Sequence, residues 1–529
     1  MRAGNVVLYV LVGVIGVFNL FYPSISSGFN NLQPNLGDAY FNAFVLEHGY
    51  KSFFDTSYDA SFYSPAFFYP TKLVTTYSDN LLGAAPLYWI FRTMFDWVTS
   101  FELWEISVSV LTYVAMIIWL RHIKVHPSVA AVTSFVYVFG ISRVIQLSHP
   151  QLLPQFFTPL AFIFLYRFLR RPAIKDMNAF IFLVFMQAAA GYYLGWFLIL
   201  SLGFLILALP VFMQDDFRKV LKFVAERKKK VAVHLFIWVL IFGVFWAPYI
   251  FTSFRYRDLW DWSNIRDNLA SPYSYFLVPI TNIWYPLLKH LPILIKPTLE
   301  QYLFNGLFLF SSVVGGIVYL FRIKDNREFS GLIKSFTIVG LLLLLISLRI
   351  NGYSLWYFFY HTVPGADGIR YVSRIWVIAY FYLYTAFAIM LSHFVRKYQG
   401  SILFKIFYFS LIVFFIAEQL VFFKSSVSKD TALTYVDKVG NIVETYECGV
   451  FYLETSPEQE LYIAEHIHAM WAGMDLNTPT LNGYTGISKY KLGENLERHE
   501  INEMLQGVNI APVCILTSEN REIFLKDIY

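Results

Sequence analysis

A carboxylate at the start of a short predicted helix is the first candidate for chemistry. Asp38 follows Gly37 and opens the stretch 38–48, whose apolar side chains recur at helical spacing, with Asn42 and Glu47 turned away from them. The dipole of a helix keeps a carboxylate at its N-terminus ionised. Such a carboxylate can take a proton from a hydroxyl group at hydrogen-bond distance. We therefore interpret Asp38 as a candidate general base, with a plain helix cap as the alternative.

Asp79 stands in the same way before a second apolar segment, residues 81–94. That segment is short and contains Pro86 and Arg92, so we expect a helix at the membrane interface rather than a membrane span. Helix capping is the default role for Asp79, but two such carboxylates in one loop favour a shared substrate pocket. Asp55 and Asp59, four residues apart, are weaker candidates, either for metal ligation or for a solvated loop surface.

Two arginines supply the complementary charge. Arg370 and Arg374 stand four residues apart at the start of an apolar segment, and we expect them on one helix face. Guanidinium groups grip phosphate through two hydrogen bonds, so the pair predicts a phosphate or diphosphate site. Contact with lipid head groups is the alternative. His149, in a short turn between two predicted helices, is either a further donor to the same phosphate or an ordinary turn residue.

The composition places these residues in a membrane protein. The 529 residues are 57% hydrophobic and 15% charged, more apolar than a soluble core of this length could hide. The net charge of +5 is small, and the basic residues form short clusters with no continuous stripe, so nothing favours nucleic acid as a partner. Cys448 and Cys514 could form a disulfide in an oxidising compartment or remain two buried thiols.

Apolar runs of near-spanning length predict a polytopic α-helical membrane protein with about eleven transmembrane helices. The runs are residues 6–23, 103–120, 127–145, 153–169, 177–190, 192–213, 231–251, 302–321, 333–349, 372–392 and 403–424.

Basic residues cluster in alternate connections between these runs, which the positive-inside rule assigns to the cytoplasm. The larger loops, 24–102 and 252–301, and the C-terminal tail then share the extracytoplasmic face. Composition changes at residue 425, where short β-type runs alternate with helical ones. We predict two domains: a transmembrane domain, 1–424, with a catalytic outside loop, 24–102, and a soluble extracytoplasmic α/β module, 425–529.

The order of short motifs resembles that of the GT-C superfamily of integral membrane glycosyltransferases, in particular bacterial multi-spanning members. The motifs are Gly37-Asp38, Phe68-Tyr69-Pro70, Tyr77-Ser78-Asp79-Asn80, Ser148-His149-Pro150-Gln151 and Ile369-Arg370-Tyr371-Val372-Ser373-Arg374.

The resemblance implies an integral enzyme of the bacterial inner membrane with an extracytoplasmic active site. It implies a polyprenyl-phosphate sugar donor, a glycan, lipid or protein acceptor, and a role in cell-envelope polysaccharide biosynthesis. Carried over by position, Asp38 is the general base of an inverting displacement. Arg370 and Arg374, with His149 and Asp79, would bind the donor. The first loop lacks the Asp-x-Asp pair of metal-using members, so a divalent cation (Mg²⁺ or Mn²⁺) and the arginines are alternative sources of positive charge.

A transporter or flippase of lipid-linked saccharide is the other function that this sequence fits, because it too needs a polar cavity and phosphate-binding arginines. Transporters place ionisable groups near the bilayer midplane, often in two related halves. Here the charged candidates collect at one surface and no second half mirrors the first, which favours the transferase.

Overall fold

The computed structural model describes residues 3–255, 260–292, 298–322, 329–422, 425–486, 494–508, 510–519 and 522–529. All eleven predicted apolar runs contain a helix. These helices are α1 (Ala3–Ser26), α4 (Trp97–His122), α5 (Pro127–Phe139), α7 (Phe157–Arg170), α8 (Ile174–Ala190), α9 (Tyr192–Phe212), α11 (Lys228–Arg255), α14 (Gly306–Arg322), α15 (Ser330–Ser347), α17 (Trp376–Tyr398) and α18 (Ile402–Ala417).

In the described part of the chain, eight helical segments are long and apolar enough to cross a membrane, namely 4–26, 97–122, 127–148, 150–170, 192–212, 228–255, 330–347 and 372–398. Helices α8, α14 and α18 are shorter, with 16 or 17 residues each. The protein is therefore a polytopic α-helical membrane protein, and the count of eleven spans stays a prediction.

The remaining helices, of 4 to 18 residues, lie between or after these segments. They are α2 (Asp38–Phe54), α3 (Ala85–Arg92), α6 (Ile141–Ile145), α10 (Gln214–Glu226), α12 (Trp262–Asp267), α13 (Tyr285–Leu288), α16 (Trp356–Thr362), α19 (Lys429–Thr445), α20 (Gln459–Leu476) and α21 (Arg498–Met504). Single 3₁₀ turns stand at Val74–Tyr77, Gln146–Ser148, Pro150–Leu152, Pro272–Phe276, Leu299–Gln301 and Val372–Ile375.

Small residues let the membrane helices approach closely. A Cβ added at Gly340 of α15 would lie 2.6 Å from Leu383 of α17, and one at Gly195 of α9 would lie 2.3 Å from Ala188 of α8. A buried amide adds a polar link, because Asn19 Nδ2 donates to the carbonyls of Phe139, at 3.0 Å, and Gln419. Close backbone approach and interhelical hydrogen bonds are the usual means of joining helices in lipid.

Helix α2 is buried on all sides through residues 39–49, not only on its apolar side. Glu47, expected to face away from the packed side, is 1% exposed. It accepts hydrogen bonds from the Tyr88 hydroxyl at 2.6 Å and from Arg92 Nε at 2.9 Å, both in the second half of the loop. The predicted interface segment 81–94 contains α3, which these two bonds hold against α2.

The C-terminal part contains the predicted α/β elements. Strands β3 (Val450–Leu453) and β4 (Val513–Glu519) are parallel, and β5 (Glu522–Ile528) pairs antiparallel with β4. A second, two-stranded ladder joins the two ends of the membrane region, because β1 (Asn31–Leu32) in the first loop pairs antiparallel with β2 (Val427–Ser428).

The C-terminal part packs directly on the first loop. The Tyr40 ring of α2 stacks on Trp471 of α20 with centroids 5.6 Å apart, and Trp471 also contacts Trp97 at 4.2 Å. Backbone bonds continue the contact, since Phe68 N donates to Asn482 O at 2.9 Å. The division into domains 1–424 and 425–529 stays a prediction, but the first loop and the tail share one buried core.

A disulfide joins Cys448, just before β3, to Cys514 in β4, which answers the question that the sequence left open. The bridge closes a loop of 66 residues. Restriction of the unfolded chain by a loop of that length contributes about 4 kcal/mol of stability.

The double variant C448S/C514S should therefore have a lower Tm than the wild type when unfolding of the detergent-purified protein is followed by protease sensitivity of the tail. Dithiothreitol should lower the Tm of the wild type to that of the variant and leave the variant unchanged. Equal Tm values for oxidised wild type and variant would contradict a stabilising role for the bridge.

Candidate active site

Asp38 lies at the first helical position of α2, with Gly37 as the N-cap. Its carboxylate reaches two other parts of the chain. Oδ1 accepts a hydrogen bond from the hydroxyl of Tyr484 in the C-terminal part, and Oδ2 lies 2.8 Å from His149 Nδ1. The Asp38 side chain is 28% exposed, so solvent reaches it although both oxygens face a partner.

His149 occupies the predicted turn, between the 3₁₀ turns Gln146–Ser148 and Pro150–Leu152. The buried Arg143 holds this turn closed: its Nη1 donates to the Leu152 carbonyl at 2.7 Å, and its guanidinium lies 4.9 Å from the Trp376 ring centroid. Asn42 of α2 donates to Gln151 Oε1 at 3.0 Å, which fixes the turn against α2. These contacts set the distance between His149 and Asp38.

The other ring nitrogen of His149 meets a second carboxylate. His149 Nε2 lies 3.0 Å from Glu300 Oε1, and Arg374 Nη2 lies 3.4 Å from the same oxygen. A capping box between Thr298 and Gln301 fixes the 3₁₀ turn that carries Glu300. The result is a continuous line of polar groups, Tyr484–Asp38–His149–Glu300–Arg374, which we call the charge line.

The charge line keeps both carboxylates ionised. Burial alone raises the pKa of the Asp38 carboxyl, but His149, Tyr484 and Arg374 together outweigh burial and hold that pKa well below its usual range. Burial likewise opposes ionisation of Glu300, and His149 and Arg374 lower its pKa to about 2.

Arg370 and Arg374 come together, but not on one helix face as expected. Regular structure begins at Val372 with a 3₁₀ turn, so Arg370 precedes it. The Tyr371 ring joins the two guanidinium groups, with its centroid 4.4 Å from Arg370 and 4.9 Å from Arg374. Arg370 also lies 4.5 Å from the Trp260 ring. Aromatic faces thus surround two neighbouring cations.

Asp79 caps a helix, though not the one that follows it. Its carboxylate accepts a hydrogen bond from the Tyr192 backbone N–H, at the N-terminus of α9. Gly83 fixes this segment on the α8–α9 turn by donating to the Ala189 carbonyl, where a Cβ would lie 2.4 Å from the Met186 carbonyl oxygen. Burial raises the pKa of Asp79 to about 6, although the Tyr192 N–H and the Arg374 charge act against it.

The weaker candidates do not join the site. Asp55 accepts hydrogen bonds from the backbone and hydroxyl of Ser57, a local turn. Asp59 is exposed.

Among the described residues, no group of three or more His, Cys, Asp or Glu side chains is placed so that it could hold a metal ion. In the charge line, the His149 ring lies between the carboxylates of Asp38 and Glu300, and Arg374 adds positive charge beside Glu300.

Sequence reasoning found Asp38, His149 and Arg374 but missed Glu300 and Tyr484. Glu300 ends the 252–301 loop, which the basic-residue pattern places on the same face as Asp38. Tyr484 belongs to a polar, glycine-containing stretch of the tail, residues 475–486. The loop position of Glu300 and the composition around Tyr484 each indicate a segment that could reach the site. Neither indicates that Glu300 contacts His149 or that Tyr484 contacts Asp38.

No family model matches the sequence, and no curated protein matches it. Among solved structures, the fold is similar to that of the archaeal oligosaccharyltransferase AglB from Archaeoglobus fulgidus, solved in complex with an inhibitory peptide and a dolichol-phosphate. The match has a TM-score of 0.55 and 12% sequence identity, and it covers 97% of this chain and 69% of the AglB chain. At that identity the similarity establishes the fold, and the chain has the fold of the GT-C superfamily of integral membrane glycosyltransferases.

Proposed function

We propose that the protein is an inverting glycosyltransferase that moves a sugar from a polyprenyl-phosphate-linked donor to a hydroxyl group of an extracytoplasmic glycan, lipid or protein. The observation that carries the proposal is the Asp38 carboxylate, whose pKa His149, Tyr484 and Arg374 hold well below its usual range. The GT-C fold supports glycosyl transfer in general, and the dolichol-phosphate in the AglB structure supports a lipid-phosphate donor.

The reaction needs one base and one stabilised leaving group. Asp38 accepts the proton of the acceptor hydroxyl while the acceptor oxygen attacks the anomeric carbon of the donor. The bond between that carbon and the phosphate oxygen breaks, and the electron pair leaves with the polyprenyl phosphate. Attack from the face opposite the phosphate inverts the anomeric configuration.

Arg370 and Arg374 are the groups we assign to the leaving phosphate. Their guanidinium groups flank Tyr371. Arg374 also contacts Glu300, which in turn contacts the His149 ring beside the proposed base. Preorganised positive charge at a developing anion contributes a few kcal/mol to catalysis. We propose that the arginines and His149 supply this charge, and no step is assigned to Mg²⁺ or Mn²⁺.

Replacing Asp38 by asparagine should lower transfer at least about 100-fold, because an amide cannot accept the proton. The measurement is transfer of labelled sugar from undecaprenyl-phosphate-linked donors to membrane glycan by the protein in lipid, with and without EDTA. Asp55→Asn, in the same loop but outside the site, is the matched control and should keep wild-type activity. Wild-type turnover by a correctly inserted Asp38→Asn protein would rule out the base assignment.

Asp79 should make donor binding depend on pH. Its raised pKa, about 6, means that the carboxyl is neutral below that pH and anionic above it. The anionic form offsets part of the attraction of Arg374 for a phosphate. The Kd for undecaprenyl-phosphate-linked glucose, a phosphodiester whose charge does not change between pH 5 and pH 7, should therefore be about threefold lower at pH 5 than at pH 7 in the wild type.

Asp79→Asn should bind the same phosphodiester equally well at both pH values. The same pH dependence in this variant would show that another group is responsible.

The disulfide supports an oxidising compartment for the tail, and we propose that the tail and the site face the extracytoplasmic side of the bacterial inner membrane. Glu444 in α19 and Lys229 in α11 are exposed and lie on opposite sides under this topology. In intact cells, an impermeant maleimide should label Glu444→Cys and should spare Lys229→Cys until the membrane is permeabilised. The reverse pattern would overturn the orientation.

A further inference from the structure

Each carboxylate oxygen of Asp38 faces one group of the chain in this structure, and an acceptor hydroxyl has to come within hydrogen-bond distance of one of these oxygens. We propose that Tyr484 is the group that yields: the acceptor hydroxyl binds Asp38 Oδ1 in place of the Tyr484 phenol, and the tail segment 478–486 forms one wall of the acceptor site. This inference rests on the proposed function, because it takes Asp38 as the base.

Moving His149 away from Asp38 is energetically unfavourable. Its second nitrogen lies 3.0 Å from Glu300, and Glu300 in turn lies 3.4 Å from Arg374. The side chains of His149, Glu300 and Arg374 are each at most 10% exposed. Breaking a buried ion pair leaves an uncompensated charge, which typically costs several kcal/mol.

Tyr484 makes weaker connections. Within the described part of the chain, its hydroxyl bonds Asp38 Oδ1, and its backbone N–H meets the Met470 sulfur at 3.3 Å, a weak acceptor. The ring touches Phe41 edge-on, with centroids 5.7 Å apart. An acceptor hydroxyl would replace one O–H donor to Asp38 with another, an exchange that is nearly neutral in free energy.

Tyr484 also lies close to the two groups that we assign to the acceptor hydroxyl and to the donor phosphate. Burial raises the pKa of its hydroxyl, with the Asp38 carboxylate adding to that effect and the Arg370 charge opposing it, so the phenol lies within electrostatic reach of both groups. Asp38 is the proposed base and Arg370 is assigned to the phosphate. A sugar bound between the proposed base and the proposed phosphate site therefore competes with the Tyr484 side chain for space.

The backbone next to Tyr484 is held in place, so the movement is confined to the side chain. Thr480 N donates to the Ala66 carbonyl at 2.8 Å, Asn482 O accepts from Phe68 N at 2.9 Å, and Gly483 N donates to His466 Nδ1 at 3.3 Å, so the segment is anchored up to residue 483. A Cβ at Gly483 would lie 2.4 Å from the Phe68 ring, which shows how closely this backbone packs on the first loop. The side chain of Tyr484 can swing away while the anchored residues keep their bonds.

The test is the variant Tyr484→Phe, which keeps the ring and removes the hydroxyl. Water is the smallest acceptor, so release of free sugar from undecaprenyl-phosphate-linked glucose and mannose measures access to Asp38 without a known acceptor. If the phenol competes with the acceptor, hydrolysis should be about twofold to tenfold faster in Tyr484→Phe. The matched control, Tyr462→Phe, changes a tyrosine of the same C-terminal part that packs on His466 and should hydrolyse at the wild-type rate.

The pH profile separates this role from a structural one. Removing a donor from Asp38 raises the pKa of its carboxyl, so the acid limb of hydrolysis should move to higher pH in Tyr484→Phe and stay in place in Tyr462→Phe. Hydrolysis that is equal to or slower than that of the wild type would overturn the inference and leave the proposed function intact. Release by Asp38→Asn at the wild-type rate would overturn the base assignment in the proposed function and this inference with it.

Discussion

The site depends on the neutralisation of buried charge. One imidazole, His149, lies between two carboxylates, and an arginine closes the far end of the line. Each buried carboxylate alone would cost several kcal/mol to remove from water. His149 and Arg374 favour the ionised form of both carboxylates and so offset the cost of their burial. No two adjacent members of the line come from the same element, which means that the fold has to be complete before the line is stable.

The membrane helices serve this arrangement mainly by fixing where the short elements between them begin. The 3₁₀ turns that flank His149 and the one that contains Arg374 lie next to long buried helices. Trp376 contacts both Gln146 and Arg143 and so joins the two regions. A turn held in this way loses little entropy when substrate binds, because its conformation is already set. The protein therefore places chemistry on irregular backbone while keeping that backbone rigid.

The sequence predicts the helices well because an apolar run of about 20 residues has one stable form in lipid. It also predicts Asp38, since a carboxylate after glycine at a helix start is a local pattern. It does not predict the partners of Asp38, because Tyr484 lies 446 residues away in the chain and His149 and Glu300 are 151 apart. Asp79 illustrates this limit of local patterns. It caps a helix, but the helix is α9 rather than the segment that follows it, and α9 becomes its neighbour only through tertiary packing.

The pairing of β1 with β2 has a consequence for biogenesis. This ladder joins residue 31 to residue 428, and the charge line likewise needs Asp38 from the beginning of the chain and Tyr484 from its C-terminal part. During synthesis, the first loop leaves the ribosome long before its counterpart does. For that interval the Asp38 loop lacks its cover, and the aromatic surface that Trp471 later buries stays exposed. The site can therefore assemble only after the C-terminal part has been translated.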